Sequence, residues 1–237
     1  MTDAAHPALI AWPAKAAVNR AVPKIKIYEH AAVNSRLKDL FVKEVEQITW
    51  LSKLAAETVN LPAKDGVSEI QVFSIQLKTP NLHHDVLRCI DGTISHPILF
   101  ELHHQGCVQV IASYKRPRGG HVGGQPQISE YFAAPWLPQD AKRSSLPTAL
   151  NLAGLYERVL LRLVPLPPRK SESLGALIER LDRARATDLE LRKAVSALEK
   201  EKQFNRKVEL NATVRKLNSD LEKLGYTQKA RHAYQGQ

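Results

Sequence analysis

Two cysteines, one methionine and 6% aromatic residues are all that this 237-residue chain holds of the side chains that build disulfide scaffolds, thioether surfaces and stacking platforms. Cys89 and Cys107 form no CxxC pair, which excludes a zinc ribbon and a stapled secreted fold and points to a reducing compartment. No stretch approaches the ~18 consecutive apolar residues of a membrane span. The segment from Met1 to Trp12 lacks a basic start followed by an apolar core, so the chain reads as a soluble cytoplasmic protein without membrane contact. Neither GxSxG nor GxxxxGK[ST] occurs, and no catalytic neighbour surrounds Cys89. Acidic residues are the scarcer sign, 24 against 34 Lys plus Arg, giving a formal charge of +10. That excess admits an anionic partner such as nucleic acid without identifying one.

What is present begins with an amphipathic pattern from Ser35 to Leu51. Leu37, Leu40, Phe41, Val45 and Ile48 recur at steps of three and four, and Asn34 or Ser35 can cap the first turn, which predicts a helix. After Pro62 the period changes. Ile70 and Val72, then Phe73, Ile75 and Leu77, alternate on opposite parities, as a strand with a bulge or one buried on both faces would. Asn81 can cap a short helix carrying Val86, Leu87 and Ile90. Ile98, Phe100 and Leu102, then Val108, Val110, Ala112 and Tyr114, make two alternating runs around His103–Gly106, which predicts an antiparallel hairpin. The glycine-dense stretch from Arg116 to Gly124 is expected as an exposed, mobile loop. Ile128 to Phe132 reads as a further strand, and Leu152 to Leu163 as a second amphipathic helix closed by Pro165, Pro167 and Pro168.

From Ser171 to Leu224 the composition shifts to Leu, Ala, Glu, Lys and Arg, with no proline, and no glycine after Gly175. Propensity there is helical throughout. Leu177, Leu181 and Ala184, then Leu191, Val195 and Leu198, and later Leu210, Val214, Leu217, Leu221 and Leu224 follow the spacing of a coiled-coil seam. The seam loses phase between Leu198 and Leu210, where Phe204 and Val208 are its apolar residues. A Thr187-x-x-Glu190 capping box can start a new helix, so one long helix with a stutter and a helical hairpin both fit.

The expected fold class is therefore α+β. A small, mostly antiparallel sheet with flanking helices fills residues 1–164, a proline-rich linker spans 165–170, a coiled coil or helical hairpin spans 171–225, and a flexible tail covers 226–237.

Chemistry is thinly represented. Lys115, Arg116 and Arg118 beside glycines can contact phosphates of a nucleic acid. Glu69, Asp91 and Glu101 beside strands are the acids that a divergent metal-dependent nuclease would need, though no lysine stands two residues beyond Glu101. His83–His84, His96 and His103–His104 could in principle hold a metal, but only one of each adjacent pair could join a common site, because neighbouring strand residues point to opposite faces, and His103–His104 are expected at an exposed hairpin tip. No catalytic residue, cofactor or metal is assigned. The partner-binding set is the interrupted seam: Leu191, Val195, Leu198, Lys202, Phe204, Asn205, Arg206, Val208, Leu210, Val214, Leu217 and Leu221. Polar residues at such positions fix register and partner choice.

The segment Glu199–Asn211 (EKEKQFNRKVELN) resembles the end of a bacterial family known as domain of unknown function 4391. Similar stretches are Pro23–Tyr28, Trp50–Ala55 with Thr58 and Asn60, Glu69–Phe73, Ile90–Asp91 and Pro97–Phe100, so the likeness runs from about Pro23 to Leu224. The resemblance implies a context beside helicases and DNA methyltransferases in antiviral and restriction-modification gene clusters. It implies no catalytic residues, and the loop at 119–124 departs from it. Asp188–Leu224 also looks like helical tails on companion proteins of such clusters. The expectation is a non-enzymatic adaptor whose partners are a helicase, a methyltransferase or a second copy, with nucleic-acid binding and nuclease activity as alternatives.

Overall fold

The computed structural model describes residues 6–31, 33–116 and 127–226; of Arg116 it describes the backbone alone. The chain forms two compact units that divide between Val164 and Pro165.

The first unit begins with strands β1 (His6–Ile10) and β2 (Ala17–Ala21), followed by helices α1 (Lys24–His30) and α2 (Ser35–Glu44). Asn34 caps α2, its side-chain oxygen accepting the Leu37 amide at 2.9 Å. The helix ends at Glu44 rather than running to Leu51, and β3 (Val45–Ala55) takes over at once. Val45, Ile48, Thr49 and Trp50 explain the switch, because β-branched and aromatic side chains lose less freedom on a pleated surface than on a helix.

Helix α3 (Ala56–Val59), β4 (Glu69–Leu77), α4 (His84–Thr93) and β5 (Ile98–His104) come next. The cap of α4 is His83, which accepts the Asp85 amide, and not Asn81, whose carbonyl accepts the Thr79 hydroxyl. Strands β6 (Cys107–Arg116), β7 (Gln127–Ala133), β8 (Leu137–Pro138) and β9 (Arg143–Ser144) precede helix α5 (Leu152–Leu160). The expected loop at 116–124 lies, from residue 117 onward, outside the described residues.

Among the described residues the main sheet runs β2-β3-β4-β5-β6-β7, with β8 also on β6. Only β4 and β5 pair in parallel, joined across α4; the remaining pairs are antiparallel. The bulges of the β3–β4 ladder lie on β3, while β4 is buried on both faces, which accounts for its two parities. The β5–β6 hairpin turns on Gln105 and Gly106, both at positive φ, 44° and 76°, as a two-residue connection between twisted strands requires.

Alternation along the central strands divides the core. Ile75, Phe100, Leu102 and Ile111 pack with Ile27 of α1, Phe41 of α2 and Val86, Leu87 and Ile90 of α4. Leu99 and Glu101 therefore face the other way. Helix α5 packs on β4 and β6, and β1 pairs in parallel with β9.

In the second unit, α6 (Leu174–Lys200) and α7 (Phe204–Lys223) pack against each other as a helical hairpin. Ser173 starts α6 by accepting the Ala176 amide at 3.3 Å. Thr187 starts nothing. It lies inside α6 and donates to the Arg183 carbonyl at 2.9 Å, so the expected capping box there is a mid-helix hydroxyl bond. The chain reverses at Glu201–Gln203, where the Glu201 carboxylate accepts the amides of Lys202 and Gln203 at 2.8 and 2.9 Å.

At the open end Arg180, 3% exposed, ties the hairpin together. Its guanidinium holds both Glu172 carboxylate oxygens at 2.8 Å, the Leu224 carbonyl at 2.7 Å and the Pro167 carbonyl at 2.9 Å. That contact brings the Glu172 carboxyl down to about 2. Arg169 donates to the Lys223 carbonyl, and Tyr226, assigned to the tail by sequence, is buried. An Arg180→Met variant is expected to lose about 1.5–3 kcal/mol of local stability. Hydrogen exchange should quicken from Leu221 to Tyr226; unchanged protection there would show that the guanidinium does not hold this end.

Candidate functional site

Strand β6 carries the first residue of the basic set, and its geometry corrects the assignment. Lys115 is 3% exposed. Its Nζ donates to the carbonyls of Asp91, Ile94 and His96 at 2.8, 2.7 and 2.9 Å and lies 2.9 Å from Asp91 Oδ1. The ammonium thus closes the C-terminal end of α4, where unpaired carbonyls and the negative end of the helix dipole favour a cation. Ser113 Oγ and the Tyr131 hydroxyl donate to Asp91 Oδ2 at 2.7 and 2.8 Å. Burial pushes Lys115 down and Tyr131 up. All of Lys115's donors are spent inside the fold, so it is no phosphate contact. The Arg116 side chain and Arg118 lie outside the described residues.

The three acids of the nuclease reading do not converge. Asp91 belongs to the α4 side of the sheet, and Glu101 points from β5 to the opposite side. There Arg143 holds Glu101 in a fork at 2.7 and 2.8 Å, and Trp12 Nε1 donates to it at 2.7 Å. Arg143 also donates to the Ile10 carbonyl at 2.9 Å, tying β1 and β9 to the sheet. Burial pushes the Glu101 carboxyl up, but the hydrogen bonds from Arg143 and Trp12, together with the His103 ring 3.7 Å away, outweigh it and leave the group at about 2. Glu69 sits at the start of β4 and pairs with Lys53 at 3.2 Å. Among the described residues no group of His, Cys, Asp and Glu has a metal-holding arrangement.

A cleft of about 370 Å³ opens between α1, α2 and α4, lined by His30, Leu37, Asp85, Arg88, Cys89 and Thr93. Burial pushes its thiol, Cys89, up, which is the wrong direction for a nucleophile. Arg88 is committed to Glu130 at 2.6 Å.

The hairpin sorts the interrupted seam into two groups. Leu191 and Leu221 are 5% and 1% exposed; these two are already covered and offer no surface to a partner. Leu198, Leu210, Val214 and Leu217 are half-buried. Around the turn the apolar residues face solvent: Phe204 is 77% exposed, Val208 53% and Val195 36%. Lys202, Asn205 and Arg206 are exposed as well, with Arg206 in an ion pair to Glu209 at 2.6 Å. The structure adds Leu189, 49% exposed, which sequence reasoning passed over because it lies off the heptad positions. The seam's loss of phase marks the tip, and α7 starts at its single aromatic residue.

Among the described residues no helix is long and apolar enough to cross a membrane. Neither a curated protein nor a solved structure matches the chain. Residues 10–221 match the family described as Domain of unknown function (DUF4391), a span that takes in most of both units, and the chain belongs to that family.

Proposed function

We propose that this protein is a non-enzymatic adaptor subunit that docks onto other proteins through the α6–α7 hairpin. The observation that carries the reading is the exposure of apolar side chains on either side of the hairpin turn, Phe204 foremost. Phe204 and Val208, one helical turn apart on α7, leave neighbouring apolar surface in water, and covering it is favourable by about 25 cal/mol per Å². The buried polar groups of the first unit support the same reading, since Lys115, Asp91, Glu101 and Arg143 are each consumed by partners within the fold. The family's expected surroundings give the assembly its character: a bacterial antiviral defence or restriction-modification complex in which a helicase or DNA methyltransferase receives the hairpin.

The test is affinity purification of the full chain from its native host, with Phe204→Ser and Val208→Ser introduced together. Truncating an interface anchor costs about 2 kcal/mol or more, a drop of roughly thirtyfold in affinity, while exposed positions change stability by only about 0.5 kcal/mol. The co-purifying helicase or methyltransferase should be lost and the chain should stay folded. Undiminished recovery of that partner, or recovery of none with the unmodified chain, defeats the adaptor reading.

A further inference from the structure

Between Arg192 and Lys216 the hairpin carries eight Lys plus Arg and three Glu. One of those acids, Glu209, is occupied by Arg206. Among the described residues Lys193, Lys202, Lys207, Arg215 and Lys216 have no ion-pair partner. Phe204 and Val208 stand four residues apart and so share one face of α7. Lys207 and Arg215, three and seven residues along from them, extend that face with cations. The turn is therefore an apolar spot rimmed by positive charge, which is how a partner-selecting surface is built: burial supplies affinity, and the rim supplies steering and exclusion of wrong partners.

We infer that the hairpin tip receives an acidic amphipathic helix of another protein, whose apolar stripe covers Phe204, Val208 and Val195 and whose Asp and Glu residues face the cationic rim. This deepens the adaptor proposal and rests on it. A second copy of the chain fits poorly, because it would bring the same cationic rim against itself. A nucleic acid fits poorly too. Phe204 is the single aromatic residue between Arg192 and Lys216, whereas single-stranded binding relies on successive bases stacked on aromatic side chains. Val195 and Val208 would gain nothing from phosphates.

The experiment places a photoreactive benzoyl-phenylalanine at position 204 of the full chain in its native host and reads the cross-linked segment by mass spectrometry. The expected adduct lies in a helix of a different protein with apolar residues at three- and four-residue spacing flanked by Asp and Glu. Its yield should fall roughly tenfold or more when Lys207→Glu and Arg215→Glu are added, as steering is reversed. An adduct to a second copy, to nucleic acid or to a neutral or basic segment overturns the inference, as does an absent adduct or a yield indifferent to the charge reversals. If the helicase or methyltransferase still co-purifies and is lost with the Phe204→Ser, Val208→Ser pair, the adaptor proposal survives such a result. If no partner co-purifies at all, the adaptor proposal is the one that has failed.

Discussion

Replacing Asp91 with alanine is expected to destabilise the first unit by about 3–5 kcal/mol, because it strips the counter-ion from an ammonium that stays buried. Lys115 keeps the three carbonyls at the end of α4, but these are dipoles and carry no compensating charge. The hydroxyls of Ser113 and Tyr131 lose their shared acceptor at the same time, and each buried donor left unsatisfied costs about 1–3 kcal/mol. Those terms overlap rather than add. The three tryptophans, Trp12, Trp50 and Trp136, all precede Val164, so their fluorescence in urea reports this unit alone. With a slope of about 2 kcal/mol per M the midpoint should drop by about 2 M. Changing both partners, Asp91→Leu with Lys115→Met, removes charge and counter-charge together and should recover part of the loss, while the Ser113 and Tyr131 hydroxyls and the three carbonyls stay without their partners. A double variant as unstable as Asp91→Ala would show that the orphaned hydroxyls and carbonyls, and not the buried charge, set the cost.

Acid should act through Glu101. Its carboxyl lies at about 2 in the folded chain against 4.5 for a free side chain, and a depressed folded value means the stabilisation is fully present above the unfolded value. It is then lost as pH falls from about 4.5 through about 2. Two and a half pH units correspond to about 3 kcal/mol, with most of that gone by pH 2.5. The tryptophan-detected urea midpoint should fall accordingly between pH 6 and pH 2.5. Glu101→Gln should start lower at neutral pH, since Arg143 loses its counter-charge, and should be flatter over that interval. Glu172, also at about 2, belongs to the second unit, which these tryptophans do not report. An unchanged slope in Glu101→Gln would move the acid sensitivity to other carboxylates.

The β5–β6 hairpin was legible because two alternating runs flank a glycine that the turn requires at positive φ. The end of α2 was not. Phe41, Val45 and Ile48 continue a helical step, and the β-branched and aromatic character of residues 45 to 50 was the one contrary signal. Lys115 read as part of a basic loop because Arg116 and Arg118 follow it. Its parity with Ile111 and Ser113 pointed inward all the same. The Glu101 clamp was beyond reach, since Trp12, Glu101 and Arg143 are brought together only by the finished sheet. The hairpin turn contains neither glycine nor proline and shows itself only as a lapse in the leucines, with Glu201 satisfying the amides that follow it.

The pairing of Ile10 with Ser144 has a bearing on how the molecule is made. Strand β1 leaves the ribosome ahead of its partner β9, which emerges on the order of 10 to 30 s later at ordinary elongation rates. Through that interval β1, whose Leu9 and Ile10 are fully covered at the end, is without the strand it pairs with, and the Glu101 carboxylate lacks the guanidinium that offsets its burial. Closure of so distant a contact is slow by its topology. The newborn chain is thus exposed to holdases and proteases until Arg143 arrives to seal it.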